Sequence, residues 1–253
     1  MTMDCYCKLL EWDTKFFGIR IATTTDTVVN KDSMDAILSW CLEHKIECLY
    51  FMANACNTES TMLAEKSGFN LFDIRVALEK SMGGPTLTAG LYADEELNET
   101  FTVRPACDDD IPFIHSYSKS IFLDSRFRHD TRFPKDRVDA MYVRWVDNHY
   151  RKPNRDVLVL AHAGAPKGFI ACGVDNDGVG NIGLVGVDSC MQLTWAATYM
   201  LNQAFLWFED KGVEKINVVT QGRNVKALRF YHRGGFLPTS MHLWYHKWFV
   251  GRT

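Results

Sequence analysis

Tyr231 lies seven residues beyond Asn224, about two helical turns, so both side chains can project to one side of a helix. An amide at position 224 can cap that helix or reach a bound ligand, and spacing leaves both readings open. A phenol at position 231 can protonate a departing anion such as a thiolate. It can equally be a core aromatic with a hydrogen-bonded hydroxyl. A second group, Phe122-Leu-Asp-Ser-Arg-Phe-Arg-His-Asp130, crowds two arginines, a histidine and two acids into one predicted loop. Arg126 and Arg128 suit a phosphate or diphosphate, whose geometry a guanidinium fork matches. His129 or Asp130 can take the proton from an attacking ammonium, directly or through water. Charge alone also fits a solvated loop with local salt bridges. Eight cysteines are scattered without a CxxC pair or zinc spacing, so neither a metal site nor a thiol nucleophile with a paired base is expected.

Positioning these groups falls to elements on both sides of a break. Ser81–Asn98 carries a Gly-Gly-Pro turn signal and little hydrophobic periodicity, which reads as a linker over 81–98 between domains at 1–80 and 99–253. Before it come an extended segment at Gly18–Thr23, a helix at Ser33–His44 capped by Ser33, a strand at Cys48–Ala53, a helix at Thr58–Ser67 and a strand at Leu71–Leu78. After it the pattern gives a strand at Phe101–Arg104, a helix entered through Asp108-Asp109-Asp110 and a helix at Asp136–Tyr150. Strands follow at Val157–Ala163, Gly168–Val174 and Val179–Val187, with a turn at Asn176-Asp177-Gly178. A long helix at Thr194–Lys211, a strand at Lys215–Thr220, a helix at Val225–Arg233 and a strand at Ser240–Trp248 complete the chain.

The two halves repeat one another. Asn57 is followed eleven residues later by Gly68-Phe69, and Asn224 at the same spacing by Gly235-Phe236, an offset of 224 − 57 = 167. That offset also pairs Trp40 with Trp207, Glu47 with Glu214 and Lys80 with Lys247. The position matching Tyr231 is Ala64, so any chemistry at that tyrosine belongs to the second half.

Composition excludes several classes. The 253 residues are 47% hydrophobic and 23% charged, with a formal net charge of −3. Such a chain has an ordinary globular balance and no field that favours nucleic acid or an anionic membrane. No apolar run approaches the roughly 20 residues of a membrane span, and the N-terminus lacks signal-peptide order. A cytoplasmic enzyme is expected, with no nucleic-acid or membrane partner; a homodimer is compatible with the sequence.

The phrase Thr220-Gln221-x-x-Asn224-x-x-Ala227-x-x-x-Tyr231-x-x-x-Gly235-Phe236, in this order of elements, resembles the GNAT acyltransferases over residues 101–248. The resemblance implies an α/β (α+β) GNAT fold with a mixed, mostly antiparallel central sheet, here preceded by a smaller degenerate GNAT-like unit. It implies acetyl-CoA or another acyl-CoA as co-substrate, with Tyr231 protonating the thiolate. Asn224 would bond the pantetheine arm, as would the main chain of Val185, Gly186 and Val187, where two strands splay and Gly186 permits close approach or a bulge. Backbone N–H near Val187 would stabilise the oxyanion. Gln192, Leu193, Thr194, Ala196 and Ala197 would form the pyrophosphate loop at a helix N-terminus, with Trp195 where the pattern has its first glycine.

A narrower resemblance rests on Leu10-x-Trp12-Asp13-x-x-Phe16-Phe17-Gly18, Ser125-Arg126-Phe127 and Arg144-Trp145. Together these look like the TDP-fucosamine N-acetyltransferases, which acetylate the 4-amino group of a nucleotide-linked 4-amino-4,6-dideoxy sugar. That resemblance implies a nucleotide-sugar partner, held at its anionic end by Ser125, Arg126, Arg128, His129 and Asp130. Two other readings are a tandem aminoacyl transferase with a charged RNA donor, which should show a basic groove, and a non-catalytic ligand-binding protein on the same fold.

Overall fold

The computed structural model describes residues 6–83, 101–121, 124–150, 152–188 and 195–249. In chain order the first half holds β1 (Cys7–Leu9), α1 (Glu11–Phe17), β2 (Ile21–Thr24), α2 (Lys31–Glu43), β3 (Cys48–Asn54), α3 (Thr58–Lys66) and β4 (Asn70–Ser81). The second holds β5 (Phe101–Pro105), a 3-10 turn at Asp108–Asp110, α4 (Ile111–Ile121), α5 (Arg126–His129), α6 (Lys135–Tyr150), β6 (Arg155–His162), β7 (Ala165–Val174) and β8 (Gly180–Val187). It ends with α7 (Trp195–Asp210), β9 (Lys215–Gln221), α8 (Val225–Arg233) and β10 (Leu237–Trp248). Sequence patterning misses β1, α1 and α5, each too short to show a period. It also misplaces one cap: α2 begins at Asn30, whose side chain accepts from the Ser33 amide, and Ser33 returns a bond as the third residue of a capping box.

The ten strands of the described residues form one sheet in the order β1-β2-β3-β10-β4-β9-β8-β7-β6-β5. Only β2–β3 and β8–β9 pair in parallel, so the sheet is mixed and mostly antiparallel. Shifted by 167 positions, β3, α3 and β4 land on β9, α8 and β10 at both ends of each element. Yet each half gives away its last strand. β4 pairs with β9 of the second half, and β10 lies between β3 and β4 of the first. The two halves therefore share their backbone ladders, and the chain's sequence break at 81–98 does not break the sheet.

The repeated Asn…Gly-Phe phrase has a local explanation. Asn57 and Asn224 cap α3 and α8, accepting from the amides of Ser60 (2.8 Å) and Ala227 (3.0 Å). Gly68 and Gly235 follow the helices at φ +78° and +85°, where a side chain would be strained. Their amides bond Glu65 and His232, and the next amides, Phe69 and Phe236, bond the carbonyls of Ala64 and Tyr231. This is a Schellman ending in both halves. Ala64 and Tyr231 occupy the same helical position, so helix termination does not require an aromatic there.

The core divides by sheet face. In the second half α7 and α8 bury Met200, Leu201, Phe205, Phe208 and Tyr231 against Ile182, Ile216 and Val218. A separate cluster joins the halves: Phe17, Ile21 and Tyr50 of the first pack on Phe127, Phe133, Met141 and Tyr142 of the second. Among the described residues no helix is long and apolar enough to cross a membrane.

Candidate active site

β8 and β9 pair only at Gly180–Ile216, Asn181–Asn217 and Ile182–Val218. Past that point they diverge, and β8 stays on β7 through Ile170–Val185, Phe169–Gly186 and Gly168–Val187. Register shifts between Ala171 and Cys172, which places the bulge at Gly183 rather than at Gly186. Val185, Gly186 and Val187, laddered to β7 on one side, border the gap left by β9 on the other. A linear ligand bearing amides fits such a gap, because strand edges offer alternating N–H and C=O groups. On this strand the Val187 carbonyl accepts from the Tyr117 hydroxyl. Gln192, Leu193 and Thr194 lie outside the described residues. Ala196 and Ala197 sit in the first turn of α7 with their methyls buried, and N–H groups of a helix's first turn face anions favourably.

Tyr231 projects from α8 into the core on this side of the sheet and is 6% exposed. Phe236 and Phe230 pack on its ring at 5.5 and 5.3 Å. Burial, and then Cys172 on β7, push its phenol well above the ordinary range, so the hydroxyl stays a neutral donor. Asn224 is half-buried at the start of the same helix. Its oxygen caps the helix, which leaves the NH₂ group for other contacts. Asn224→Ala is expected to cost about 1 kcal/mol of stability, as is Asn57→Ala. Only the former should also raise the KM for acyl-CoA, and denaturation midpoints with steady-state kinetics on both variants check this.

The charged run 125–130, expected as a loop, is instead a helical turn pressed between the halves, and its residues separate in role. Asp130 is 1% exposed and accepts from His246 Nδ1 (2.8 Å), Trp248 Nε1 (2.9 Å) and Arg132 Nε (2.9 Å). Burial pushes its carboxyl up, but the three donors outweigh that and hold it down to about 2. So held, Asp130 is a poor base and has no open face for a substrate. Arg128 is likewise engaged, with the Asp139 carboxylate and with the Lys119 carbonyl at 2.7 Å. Ser125 is buried beside the Tyr142 phenol, which burial raises to about 12 while Ser125 opposes the shift. His129 is exposed, and the partial desolvation of its ring, then Arg223, lower its pKa.

Arg126 faces differently. Its guanidinium is boxed by the rings of Tyr50 (4.1 Å), Phe127 (4.1 Å) and Trp244 (4.2 Å) and bonds His246 Nε2 at 2.8 Å. Because arginine only donates, Nε2 must accept and Nδ1 carries the proton to Asp130. His246 is thus neutral, held down to about 4, chiefly by burial.

One residue has no sequence signal at all. Asp73 on β4 is 4% exposed, and its oxygen accepts only the Ile74 amide, at 2.8 Å, among the described residues. Burial raises its carboxyl to about 6, against the amide bond and the pull of Arg223 and Arg126, while Asp124 adds to the rise. The strand exchange brings this first-half residue beside the end of β9, where Arg75 pairs with Gln221 and the Gly222 amide bonds Ile74. Lying in the first half, it escapes any search confined to the half that contains Tyr231.

Comparison with known proteins agrees with this arrangement. The model of the acetyltransferase (GNAT) family matches residues 121–236. The chain is similar to the dTDP-fucosamine acetyltransferase of Escherichia coli O6:H1, 24% identical over 94% of this chain and 96% of that protein. In fold it resembles a GCN5-related N-acetyltransferase from Sphaerobacter thermophilus (TM-score 0.67, 15% identity, 96% of this chain and 76% of the other). It also resembles a tandem GNAT protein from the clavulanic acid biosynthesis pathway (TM-score 0.60, 11% identity, 93% and 77% coverage). Residues 121–236, which hold Tyr231 and the gap between β8 and β9, are thus what this chain shares with the acetyltransferase (GNAT) family.

Proposed function

We propose that the chain transfers an acyl group, acetyl in the simplest case, from acyl-CoA to the 4-amino group of a dTDP-linked 4-amino-4,6-dideoxy sugar. The observation that carries acyl transfer is the buried neutral phenol of Tyr231 on α8, behind parallel strands that part after three residue pairs. Similarity to the dTDP-fucosamine acetyltransferase along 94% of the chain supports the acceptor class. The neutral amine attacks the thioester carbonyl, the C–S bond breaks, and the phenol of Tyr231 donates to the departing thiolate. Backbone N–H groups at the end of β8 face the developing oxyanion. Asp73 takes the proton that the amine must lose before or during attack.

Mass spectrometry of dTDP-4-amino sugars incubated with a mixture of acyl-CoA donors tests this reading. An acylated sugar nucleotide supports it, and none from any donor would sink the assignment of the acceptor.

The assignment of Asp73 has a pH signature. A base must be ionised, and Asp73 ionises above about 6. The rate is therefore expected to rise with pH through about 6 and level off above it. Asp73→Asn should lower kcat about 100-fold and erase that acidic limb. A pH–rate profile that keeps the limb in the variant assigns it to another group.

A further inference from the structure

Residues of both halves line a cavity that the chemistry at Tyr231 does not use. It measures about 460 Å³ and is lined by Trp12 of α1, Tyr50 and Met52 of β3, Trp244 of β10, Arg126 of α5 and Trp145 of α6. Trp12 and Trp145 are 41% and 39% exposed and leave aromatic surface at its rim. The Tyr50 hydroxyl, on a residue 1% exposed, interacts with the Arg126 guanidinium at the cavity wall. Four threonines, Asp13, Asp26 and Lys8 add donors and acceptors around it.

The cavity floor runs toward the reaction site. Met52 pairs with Trp244, and Trp244 pairs with Asp73, so the three stand in one cross-strand row on a shared face. At about 4.8 Å per strand, Asp73 lies about 10 Å from Met52, with β9 one strand further. Arg126 sits over Trp244, between the cavity and Asp73, and makes no ion pair among the described residues. A cation between an aromatic, hydroxyl-rich cavity and a buried carboxylate has the order of chemistry found in a nucleoside, a diphosphate and an amino sugar.

We propose that this cavity holds the nucleoside of a nucleoside-diphosphate sugar, its base stacked on the rim tryptophans. The diphosphate then meets Arg126, and the sugar's amine lies at Asp73. This inference rests on the nucleotide-sugar reading above and goes beyond it by placing the nucleoside in a cavity that both halves line and Tyr231 does not. Bases stack favourably on aromatic side chains, so loss of one rim tryptophan should weaken binding about 10-fold.

The test is equilibrium titration of the full-length protein with thymidine diphosphate, comparing wild type with Trp145→Ala and Lys8→Ala. Both replaced side chains are surface-accessible, and a thermal shift with acetyl-CoA verifies that each variant still folds and binds the donor. Thymidine diphosphate binding that weakens about 10-fold in the variants, with the donor shift unchanged, supports the site. Equal binding by all three proteins overturns it and leaves the nucleotide-sugar acceptor standing. The site is also overturned, with that acceptor intact, if wild type acylates a dTDP-amino sugar yet does not bind thymidine diphosphate. Neither binding nor acylation would overturn both.

Discussion

Tyr231→Phe is expected to lower kcat by about 10²–10³-fold while the fold and the KM for acyl-CoA stay near wild type. The substitution removes one oxygen and keeps the ring that packs on Phe230 and Phe236, so core volume is preserved. The backbone carbonyl of residue 231, which closes the Schellman ending through the Phe236 amide, is also untouched. What disappears is the only part of the side chain able to donate toward a sulfur. The repeat sharpens the expectation, since Ala64 holds the same position in α3 without loss of the helix ending. Single-turnover kinetics with acetyl-CoA and a dTDP-4-amino sugar would read the chemical step directly. An undiminished rate would remove Tyr231 from the mechanism.

Asp130→Ala should act on stability and cost about 3–5 kcal/mol, the range for deleting one partner of a buried charged network. Three donors, on His246, Trp248 and Arg132, lose their acceptor at once, and His246 is fully buried. A domain with a total stability of about 5–15 kcal/mol would lose a large share, visible as a lower urea midpoint at pH 7. The same network fixes the direction of acid sensitivity. His246 titrates near 4 in the folded chain against an ordinary 6.5, so the unfolded chain binds a proton that the folded one refuses between those values. Asp130 is held to about 2, below the ordinary carboxylate value near 3.9. Both groups therefore make stability fall as pH drops, His246 from about 6.5 to 4 and Asp130 from about 4 to 2. Wild type should show this loss in midpoint on acidification, and Asp130→Ala should lack the lower part of it. A variant with an unchanged midpoint would mean that the three donors find other acceptors.

The consequence for substrate binding is that the run 125–130 divides. Charge density suggested one anion grip, but Asp130 and Arg128 are used inside the molecule, by His246 and Asp139 among others. Of the charged side chains in the run, Arg126 is the one that lines the cavity, packed among aromatic rings from both halves. Sequence could show that the charges were close together. Which of them meet solvent depends on β10, whose His246 and Trp248 arrive from more than 100 residues away.

Local chemistry was legible in the chain. Helix starts at Asn57 and Asn224, endings at Gly68-Phe69 and Gly235-Phe236, and the duplication itself all follow from bonds made within a few residues, which spacing records. The position of Tyr231 on its helix is of this kind. The exchange of β4 and β10 is not, because the repeated units present equivalent strand edges and equivalent final strands. Either final strand can satisfy either edge, and only packing of the whole molecule selects the crossed pairing. That selection sets Asp73 beside β9, buries Asp130 under His246 and places Arg126 over Trp244. Residue spacing alone carries the repeated helix and its phenol; which distant residues surround them is settled only on folding, because ladder pairing and burial join residues that no spacing connects.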